Sequence, residues 1–173
     1  RDRWRMLPHQ IYFGDNLEFL RALPDESADL IYIDPPFNTG KKQAHTQLRT
    51  SQSEHGDRVG FKGKRYETIK LGSFSYMDLF DDFMAFIEPR LVEAHRVLTP
   101  FGSLYFHIDY REVHYCKILL DQLFGRESFL NEIIWAYDYG ARTKKKWPPK
   151  HDNILWYAKN PENYVFNYAD IER

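Results

Sequence analysis

The stretch that most constrains this chain runs from Asp29 to Gly40 and reads Asp-Leu-Ile-Tyr-Ile-Asp-Pro-Pro-Phe-Asn-Thr-Gly. Residues 30–33 form a short apolar and aromatic run, which predicts a strand buried on both faces of a parallel sheet. Asp34 is followed at once by two prolines, which can neither extend a β-ladder nor lie inside a helix. The strand therefore ends at Asp34, whose carboxylate is expected at the carboxyl edge of the sheet, where open α/β sheets bind ligands.

The two prolines also stiffen the backbone at this edge. Pro35 and Pro36 each force the preceding residue into an extended conformation, so the carbonyls of Asp34 and Pro35 are held without regular hydrogen-bond partners. Phe37 adds an aromatic ring to the same corner. The alternative interpretation is structural, because Asp-Pro pairs are common in turns and Phe37 would then lie in the core.

Two further blocks accompany this corner, Tyr-Phe-Gly-Asp-Asn at residues 12–16 and Lys-His-Asp-Asn-Ile-Leu-Trp-Tyr at residues 150–157. The tetrapeptide Asp34–Phe37 resembles the catalytic motif of the amino-methyltransferases, which use S-adenosylmethionine to methylate exocyclic amines of bases. With its flanking blocks, the chain resembles bacterial site-specific DNA adenine-N6 methyltransferases, in the permuted group whose catalytic motif precedes the glycine-rich cofactor motif. The resemblance runs from about Ile11 to Phe166.

The resemblance implies that Asp34, Pro35, Pro36 and Phe37 carry catalysis and that Asp15 and Asp34 help to hold S-adenosylmethionine. Chemistry accounts for these residue types, because the N6 lone pair of adenine is delocalised into the ring and is a poor nucleophile. Acceptors at the Asp34 carboxylate and the Pro35 carbonyl would draw the amine towards a tetrahedral, reactive form. Phe37 offers a face on which a flipped purine can stack. The simpler alternative for Asp15 is the N-cap of a helix.

The order of predicted elements indicates one α/β catalytic domain over residues 1–173. The predicted strands are residues 10–13, the run ending at Ile33, and residues 103–108, 131–139 and 153–157; the predicted helices are residues 15–23, residues 76–98 with a kink or break at Pro89, and residues 111–124. This alternation, together with the resemblance, indicates a three-layer Rossmann-like methyltransferase fold with a mainly parallel sheet and an antiparallel hairpin.

Residues 38–75 are predicted to be a long basic loop inserted after the catalytic motif, because they are rich in glycine and show little periodicity. Between Lys41 and Lys70 there are eight Lys or Arg and only three Asp or Glu. We expect Lys41 and Lys42 to contact DNA phosphates beside a flipped base. A solvated insertion is the alternative.

A second basic stretch, residues 140–152, is predicted to be a hairpin loop that opens the target-recognition region. Between Gly140 and Lys150 it carries five positive charges and no acid, and it places a tryptophan among lysines. Stacking and phosphate neutralisation together suit a nucleic-acid contact. The predicted DNA-binding residues here are Arg142, Lys144, Lys145, Lys146, Trp147 and Lys150, and a solvated hairpin tip is the alternative.

The composition of the chain limits which other kinds of protein it can be. The formal charge of −1 gives no global signature of nucleic-acid binding, so DNA contacts must be local. The single cysteine, Cys116, excludes an internal disulfide and suits the reducing cytoplasm expected for a bacterial or phage protein. No apolar run approaches the roughly 20 residues of a membrane span. We predict no metal site, because His107 and Asp109 lack a third ligand at a suitable spacing.

One motif of the resembled family is missing. Its Phe-x-Gly-x-Gly turn, which holds the methionine and ribose of the cofactor, does not occur in this sequence. In the permuted group that motif follows the target-recognition region, and its strands lie between the strand at residues 10–13 and the strand ending at Ile33. We therefore expect the chain to be the amino-terminal part of a larger methyltransferase, with a gap in its sheet and weak S-adenosylmethionine binding on its own.

Other functions stay open at this point. Cytosine-N4 methylation is a second hypothesis, although a serine usually replaces the first aspartate of the motif in that chemistry. An RNA or protein amine is a third substrate class, and a catalytically silent DNA-binding fragment is a fourth hypothesis. The expected partner is double-stranded DNA, with a restriction endonuclease subunit or a second copy of the chain as further partners. The recognition sequence depends on base contacts that composition does not reveal.

Overall fold

The structure of the chain is a computed structural model, and it describes residues 9–52, 58–59, 65–78, 80–138 and 143–171. They divide into two compact units, one within Arg1–Phe37 and Asp82–Arg173 and the other within Asn38–Asp81. The strands are β1 (Ala28–Ile33), β2 (Lys41–Gln52), β3 (Arg58–Val59), β4 (Arg65–Asp78), β5 (Leu98–Ile108), β6 (Phe129–Ala136) and β7 (His151–Ala158). The helices are α1 (Asn16–Ala22), α2 (Phe83–Val97) and α3 (Val113–Phe124), with single 3-10 turns at Arg126–Ser128 and Tyr168–Asp170.

The first unit is built on a four-stranded sheet in the order β1-β5-β7-β6. β1 and β5 are parallel, whereas β7 runs antiparallel to both β5 and β6. The predicted antiparallel hairpin is present, but the described sheet is not mainly parallel, because one of its three pairings is parallel. Ile33 lies opposite Phe106, so the next residues, Asp34 and His107, emerge side by side at the carboxyl edge of β1 and β5.

The core lies between this sheet and the helices. Leu104, Phe106 and Ile108 alternate along β5 and are completely buried, as one face of a covered strand should be. Tyr157 pairs with Leu104 and shares its face, and its hydroxyl donates to Asp121 of α3 at 2.6 Å. This face is therefore covered by α3, with α2 packed beside it. Each fully buried apolar side chain contributes about 1.5–3 kcal/mol to folding.

The opposite face of β5 and β7 carries aromatic side chains. Tyr105 and Trp156 stack with their ring centroids 5.4 Å apart. Tyr164 and Phe166, from the last part of the described chain, pack on the Trp156 ring at 5.7 and 5.3 Å. The described helices α2 and α3 thus cover one face of the sheet, and helices on both faces stay a prediction.

β1 is an edge strand among the described residues, so the prediction that it is buried on both faces was wrong. Leu30 and Tyr32 are 62% and 52% exposed. The predicted strand at residues 10–13 is also not formed, and Ile11 and Phe13 are almost fully exposed. In the described part of the chain β1 pairs on one side only, with β5, and no strand pairs with residues 10–13, so these side chains stay uncovered. The open edge of β1 is where the sequence predicts a gap in the sheet.

The helix predicted over residues 76–98 begins later than expected. Pairing with β2 keeps the chain extended through Asp78, and α2 starts only after Asp82, whose side chain accepts from the Ala85 N–H at 2.9 Å. The helix then runs through Pro89 without a break. Of the two predicted effects of Pro89, the break into two helices was therefore wrong, and the kink stays a prediction.

The second unit is a β-ribbon where the sequence predicted an irregular loop at residues 38–75. β2 and β4 pair antiparallel over their full lengths with one bulge, and β3 pairs with β4. The Asp78 carboxylate closes the base of the ribbon by accepting from the backbone N–H groups of Asn38 and Thr39 at 2.7 and 3.1 Å. The loop prediction failed because this order comes from cross-strand pairing rather than from an apolar alternation that the sequence could display.

Candidate active site

The Asp-Pro-Pro-Phe corner lies open at the end of β1. The Asp34 side chain is 56% exposed, Pro35 is buried, and Pro36 and Phe37 are half-buried. All four residues are outside regular secondary structure, as two consecutive prolines require. The carboxylate is therefore accessible to a ligand, and Phe37 is not fully buried in the core, as the structural alternative would place it.

Asp34 and Asp15 line the same cleft. The cleft has a volume of about 370 Å³ and is lined by Gly14, Asp15, Asn16, residues 32–36 and Arg90. This volume lies within the range of roughly 300–1,000 Å³ that is usual for small-molecule sites. Asp15 precedes α1 and Asp34 follows β1. The structure thus brings together in one cleft the two carboxylates that the family resemblance assigned to cofactor binding.

Asp15 has a structural role in this cleft. It is the N-cap of α1, and its Oδ1 accepts from the Leu17 N–H at 2.8 Å. Arg90 Nη2 donates to both oxygens of the carboxylate, at 3.0 and 3.1 Å. The Leu17 hydrogen bond, and after it the Arg90 charge, hold the pKa of Asp15 below its ordinary value. A carboxylate has about four lone-pair positions, and the described residues donate three hydrogen bonds to Asp15, which leaves about one position for a ligand. The N-cap role and a cofactor role can therefore coexist.

A second set of polar side chains surrounds Asp34 on its β5 side. His107 Nδ1 lies 2.7 Å from the Tyr32 hydroxyl and 3.9 Å from Asp34 Oδ1. His107 Nε2 lies 3.5 Å from Asp152 Oδ2, and the Phe37 ring centroid is 5.4 Å from that of the imidazole. Burial, and then the charges of Asp34 and Asp152, raise the pKa of Tyr32. The Tyr32 hydroxyl therefore stays protonated at neutral pH.

Comparison with known proteins identifies the family of the chain. A family profile described as DNA methylase, of the N6/N4 type, matches residues 28–173. The chain belongs to this family.

Several curated members of the DNA methylase family are similar over most of the chain. It is 32% identical over 154 residues to the Type II methyltransferase M.KpnI of Klebsiella pneumoniae, covering 87% of this chain and 32% of that protein. It is 32% identical over 158 residues to the DNA adenine methyltransferase YhdJ of Escherichia coli K12, covering 91% of this chain and 43% of that protein. It is 28% identical over 177 residues to the EcoP15I Mod subunit, part of a Type III restriction-modification enzyme of Escherichia coli. That match covers 95% of this chain and 27% of the Mod subunit. The chain spans less than half the length of these relatives.

A solved structure supports the fold. TTHA0409 of Thermus thermophilus, a proposed DNA modification methylase, superimposes with a TM-score of 0.50 at 22% identity, over 91% of this chain and 57% of that one. This likeness confirms the predicted fold class, a Rossmann-like α/β methyltransferase fold.

The basic stretch at residues 140–152 carries an exposed tryptophan. Lys144, Lys145 and Lys146 are exposed, and Trp147 is 94% exposed. Lys150 differs from them, because its ammonium donates to the backbone carbonyl of residue 138 at 2.6 Å and thereby closes the base of the loop. Arg142 lies outside the described residues.

Lys41 and Lys42 are the first two residues of β2 and so belong to the ribbon; the positions of their side chains are outside what the structure describes. That these two lysines contact DNA phosphates stays a prediction. Among the described residues, no three His, Cys, Asp or Glu side chains are grouped so as to hold a metal ion. In the same part of the chain, no helix has the length and hydropathy needed to cross a bilayer.

Sequence reasoning missed Arg90, Tyr32 and Asp152 as parts of the site and left His107 as an ordinary histidine. A signal for Arg90 exists, because an arginine falls in the apolar stripe of α2 beside Ile87 and is only 7% exposed. A charged residue on a buried helix face needs a partner. His107 and Asp152 carry a weaker signal, since His107 lies near the end of one predicted strand and Asp152 directly precedes another.

Proposed function

We propose that this chain forms the catalytic-motif part of a DNA methyltransferase that transfers a methyl group from S-adenosylmethionine to the N6 amine of adenine in a specific double-stranded sequence. The observation that carries the proposal is the accessible Asp34 carboxylate at the end of β1, in one cleft with Asp15. Members of the family are DNA methylases. Because the chain spans less than half of its relatives, the activity is proposed for the complete protein.

The charges of the cleft suit the proposed cofactor. S-adenosylmethionine supplies a methyl group on a positively charged sulfur, and carboxylates at Asp15 and Asp34 are complementary to a cationic ligand. Asp15 presents its remaining acceptor position at the start of α1. Arg90 keeps that carboxylate in one orientation, so the orientation is set before any ligand arrives.

Asp34 and Pro35 would act on the amine. Acceptors against its two N–H groups localise the nitrogen lone pair and orient it towards the methyl group. When the nitrogen–carbon bond forms, the carbon–sulfur bond breaks with its electron pair left on sulfur. The nitrogen then loses one proton, which the Asp34 carboxylate could take, since it would already accept a hydrogen bond from the amine. Phe37, half-buried beside the corner, offers a ring face to a base that has left the duplex.

Two observations favour adenine over cytosine as the substrate base. The relative YhdJ is named a DNA adenine methyltransferase, and the motif of this chain begins with Asp34 rather than the serine usual for cytosine-N4 chemistry. A restriction endonuclease partner is a further part of the proposal, supported by similarity to the EcoP15I Mod subunit of a restriction-modification enzyme. Action on chromosomal or phage DNA would place the protein in the bacterial cytoplasm. A second copy of the chain stays an alternative partner.

Methylation assays on the complete protein test the proposal. Asp34→Ala should lower methyl transfer to adenine by at least about 100-fold, the scale of losing one acceptor aimed at the reacting group. Asp81→Ala is a matched control, because Asp81 is an exposed aspartate outside the cleft. Full activity of Asp34→Ala, or methyl groups found on cytosine-N4, would contradict the proposal.

A further inference from the structure

His107 connects the Asp34 corner to a carboxylate on the other side of the ring. One nitrogen, Nδ1, lies 2.7 Å from the Tyr32 hydroxyl and 3.9 Å from Asp34 Oδ1. The other, Nε2, lies 3.5 Å from Asp152 Oδ2. Among the described residues, His107 is the basic side chain whose nitrogen comes closest to the Asp34 carboxylate. The position of the proton on this ring therefore affects the Asp34 carboxylate, which is proposed to accept a hydrogen bond from the target amine.

Burial makes the proton position on His107 energetically important. The side chains of His107 and Asp152 are 15% and 19% exposed. Nε2 has no contact with solvent and no partner within hydrogen-bond geometry among the described residues, so the nearby carboxylate dominates its surroundings. A carboxylate can only accept. A nitrogen lone pair pointed at it would be repelled, whereas an N–H pointed at it is attracted.

Asp152 is itself held in place. The Tyr137 hydroxyl donates to its other oxygen, Oδ1, at 3.4 Å. Asp152 lies in β7 and pairs with Trp135 of β6, so its backbone is fixed by the antiparallel hairpin. The oxygen that faces His107 is therefore Oδ2, and Oδ1 is occupied by Tyr137.

The hydrogen-bond roles around the ring follow from this arrangement. With the proton on Nε2, Nδ1 carries a lone pair and accepts from the Tyr32 hydroxyl. Nδ1 then presents no N–H to the Asp34 carboxylate. With the proton on Nδ1 instead, an N–H would point towards the Tyr32 and Asp34 oxygens and compete with the amine for the carboxylate.

We propose that His107 is a positioning residue of the methyltransferase and that Asp152 fixes its Nε2–H tautomer, which leaves the Asp34 carboxylate free to accept from the target amine. The inference rests on the proposed function, because it assigns His107 and Asp152 a role towards the amine. Tyr32 completes the chain of contacts by donating to Nδ1.

Two substitutions at Asp152 separate this role from a merely structural one. In Asp152→Asn, the amide oxygen stays with Tyr137 and the amide N–H group faces Nε2, so the imidazole proton moves to Nδ1. Asp152→Ala removes the carboxylate without supplying a donor. We expect Asp152→Asn to lower kcat by about 10- to 100-fold, the scale of a disturbed orienting partner, and to lower it more than Asp152→Ala does. The KM for S-adenosylmethionine should stay unchanged in both variants.

A structural role predicts the reverse order, since asparagine has nearly the shape of aspartate and alanine leaves a cavity. Equal activities, or a milder effect of Asp152→Asn, would overturn the proposal. The ring can also be observed directly by nitrogen NMR of the complete protein labelled at histidine, with the His107 signal identified by its loss in His107→Asn. The wild type should show the Nε2–H tautomer and Asp152→Asn the Nδ1–H tautomer. A wild-type Nδ1–H tautomer would also overturn it.

The outcomes distinguish this inference from the proposed function. If Asp34→Ala retains adenine methylation, the catalytic assignment itself fails. If Asp34→Ala abolishes methylation while Asp152→Asn is as active as Asp152→Ala, the proposed function survives and the tautomer role fails. The NMR result does not depend on activity in either case.

Discussion

Arg90 Nη2 of α2 donates to both carboxylate oxygens of Asp15, at 3.0 and 3.1 Å, across 75 residues of sequence. The same guanidinium donates to Asn16 Oδ1 at 2.8 Å and to the Phe86 carbonyl at 2.6 Å. Its side chain is 9% exposed, against 51% for Asp15. A buried charge is tolerated when it is paired and fully hydrogen-bonded, and here the pairing fixes the start of α1 at one wall of the cleft.

Substituting Arg90 should disturb cofactor binding more than DNA binding. Lysine keeps the charge but lacks the planar set of five donors, so Arg90→Lys should lower the free energy of unfolding by about 1–2 kcal/mol and Arg90→Gln by about 2–3 kcal/mol, the scale of hydrogen bonds to charged groups. In the complete protein the Kd for S-adenosylmethionine should rise in both variants while the Kd for DNA stays unchanged. Arg126→Gln, whose side chain is 89% exposed and does not line the cleft, serves as the control. Unchanged cofactor affinity in Arg90→Gln would refute the role assigned to Asp15.

The isolated 173 residues should bind S-adenosylmethionine weakly. The glycine-rich cofactor turn does not occur in the sequence, and no described strand pairs with the outer edge of β1, where Leu30 is 62% exposed. Calorimetric titration of the isolated chain and of the complete protein, under one set of conditions, checks the expectation. Circular dichroism should first show that the isolated chain is folded. Tight stoichiometric binding to the folded isolated chain would refute the prediction.

Cys116 should be unreactive in the folded protein. It is completely buried in α3, and burial, with a smaller effect of Glu112, raises the pKa of its thiol to about 12. The thiolate is the reactive form, so the raised pKa leaves almost no nucleophile at pH 8. A thiol reagent should modify no cysteine of this chain under native conditions and one in guanidinium. Rapid modification without denaturant would show that the helix opens locally.

The parts of the site that the sequence predicts are those whose causes are local. Two prolines after Asp34 end a strand wherever they occur, and the carboxylate of Asp15 caps the helix that begins at the next residue. The contacts of Arg90 and His107 could not be predicted in this way. Arg90 meets Asp15, and His107 meets Tyr32, across 75 residues in each case, so the partners are known only once the sheet and α2 are assembled.

The ribbon shows a different limit of sequence reasoning. A strand that buries one face displays a period of two in its hydrophobicity, whereas β2 has the sequence Lys-Lys-Gln-Ala-His-Thr-Gln-Leu-Arg-Thr-Ser-Gln and shows no such alternation. Its order depends on hydrogen bonds to β4. The opposite error occurred at β1, whose apolar residues predicted burial although its outer edge is uncovered in the described residues.

The exposed loop residues Lys144, Lys145, Lys146 and Trp147 should contribute to DNA binding in two separable ways. Lysines that neutralise phosphates release counterions, so the triple Lys→Ala variant should reduce the slope of log K against log salt by about 0.9 for each phosphate that the loop no longer neutralises. A stacked tryptophan acts without charge. Trp147→Ala should therefore weaken binding by about 1–3 kcal/mol while leaving the slope unchanged.

Fluorescence anisotropy of the complete protein with labelled duplex, measured over a range of salt concentrations, yields both quantities. Arg126→Ala is the matched control, because the Arg126 side chain is 89% exposed and lies on the turn after α3, outside the basic loop. It should change neither the affinity nor the slope. A triple-lysine variant with the wild-type slope would mean that the loop is a solvated hairpin tip, since charge that never meets phosphate releases no counterions.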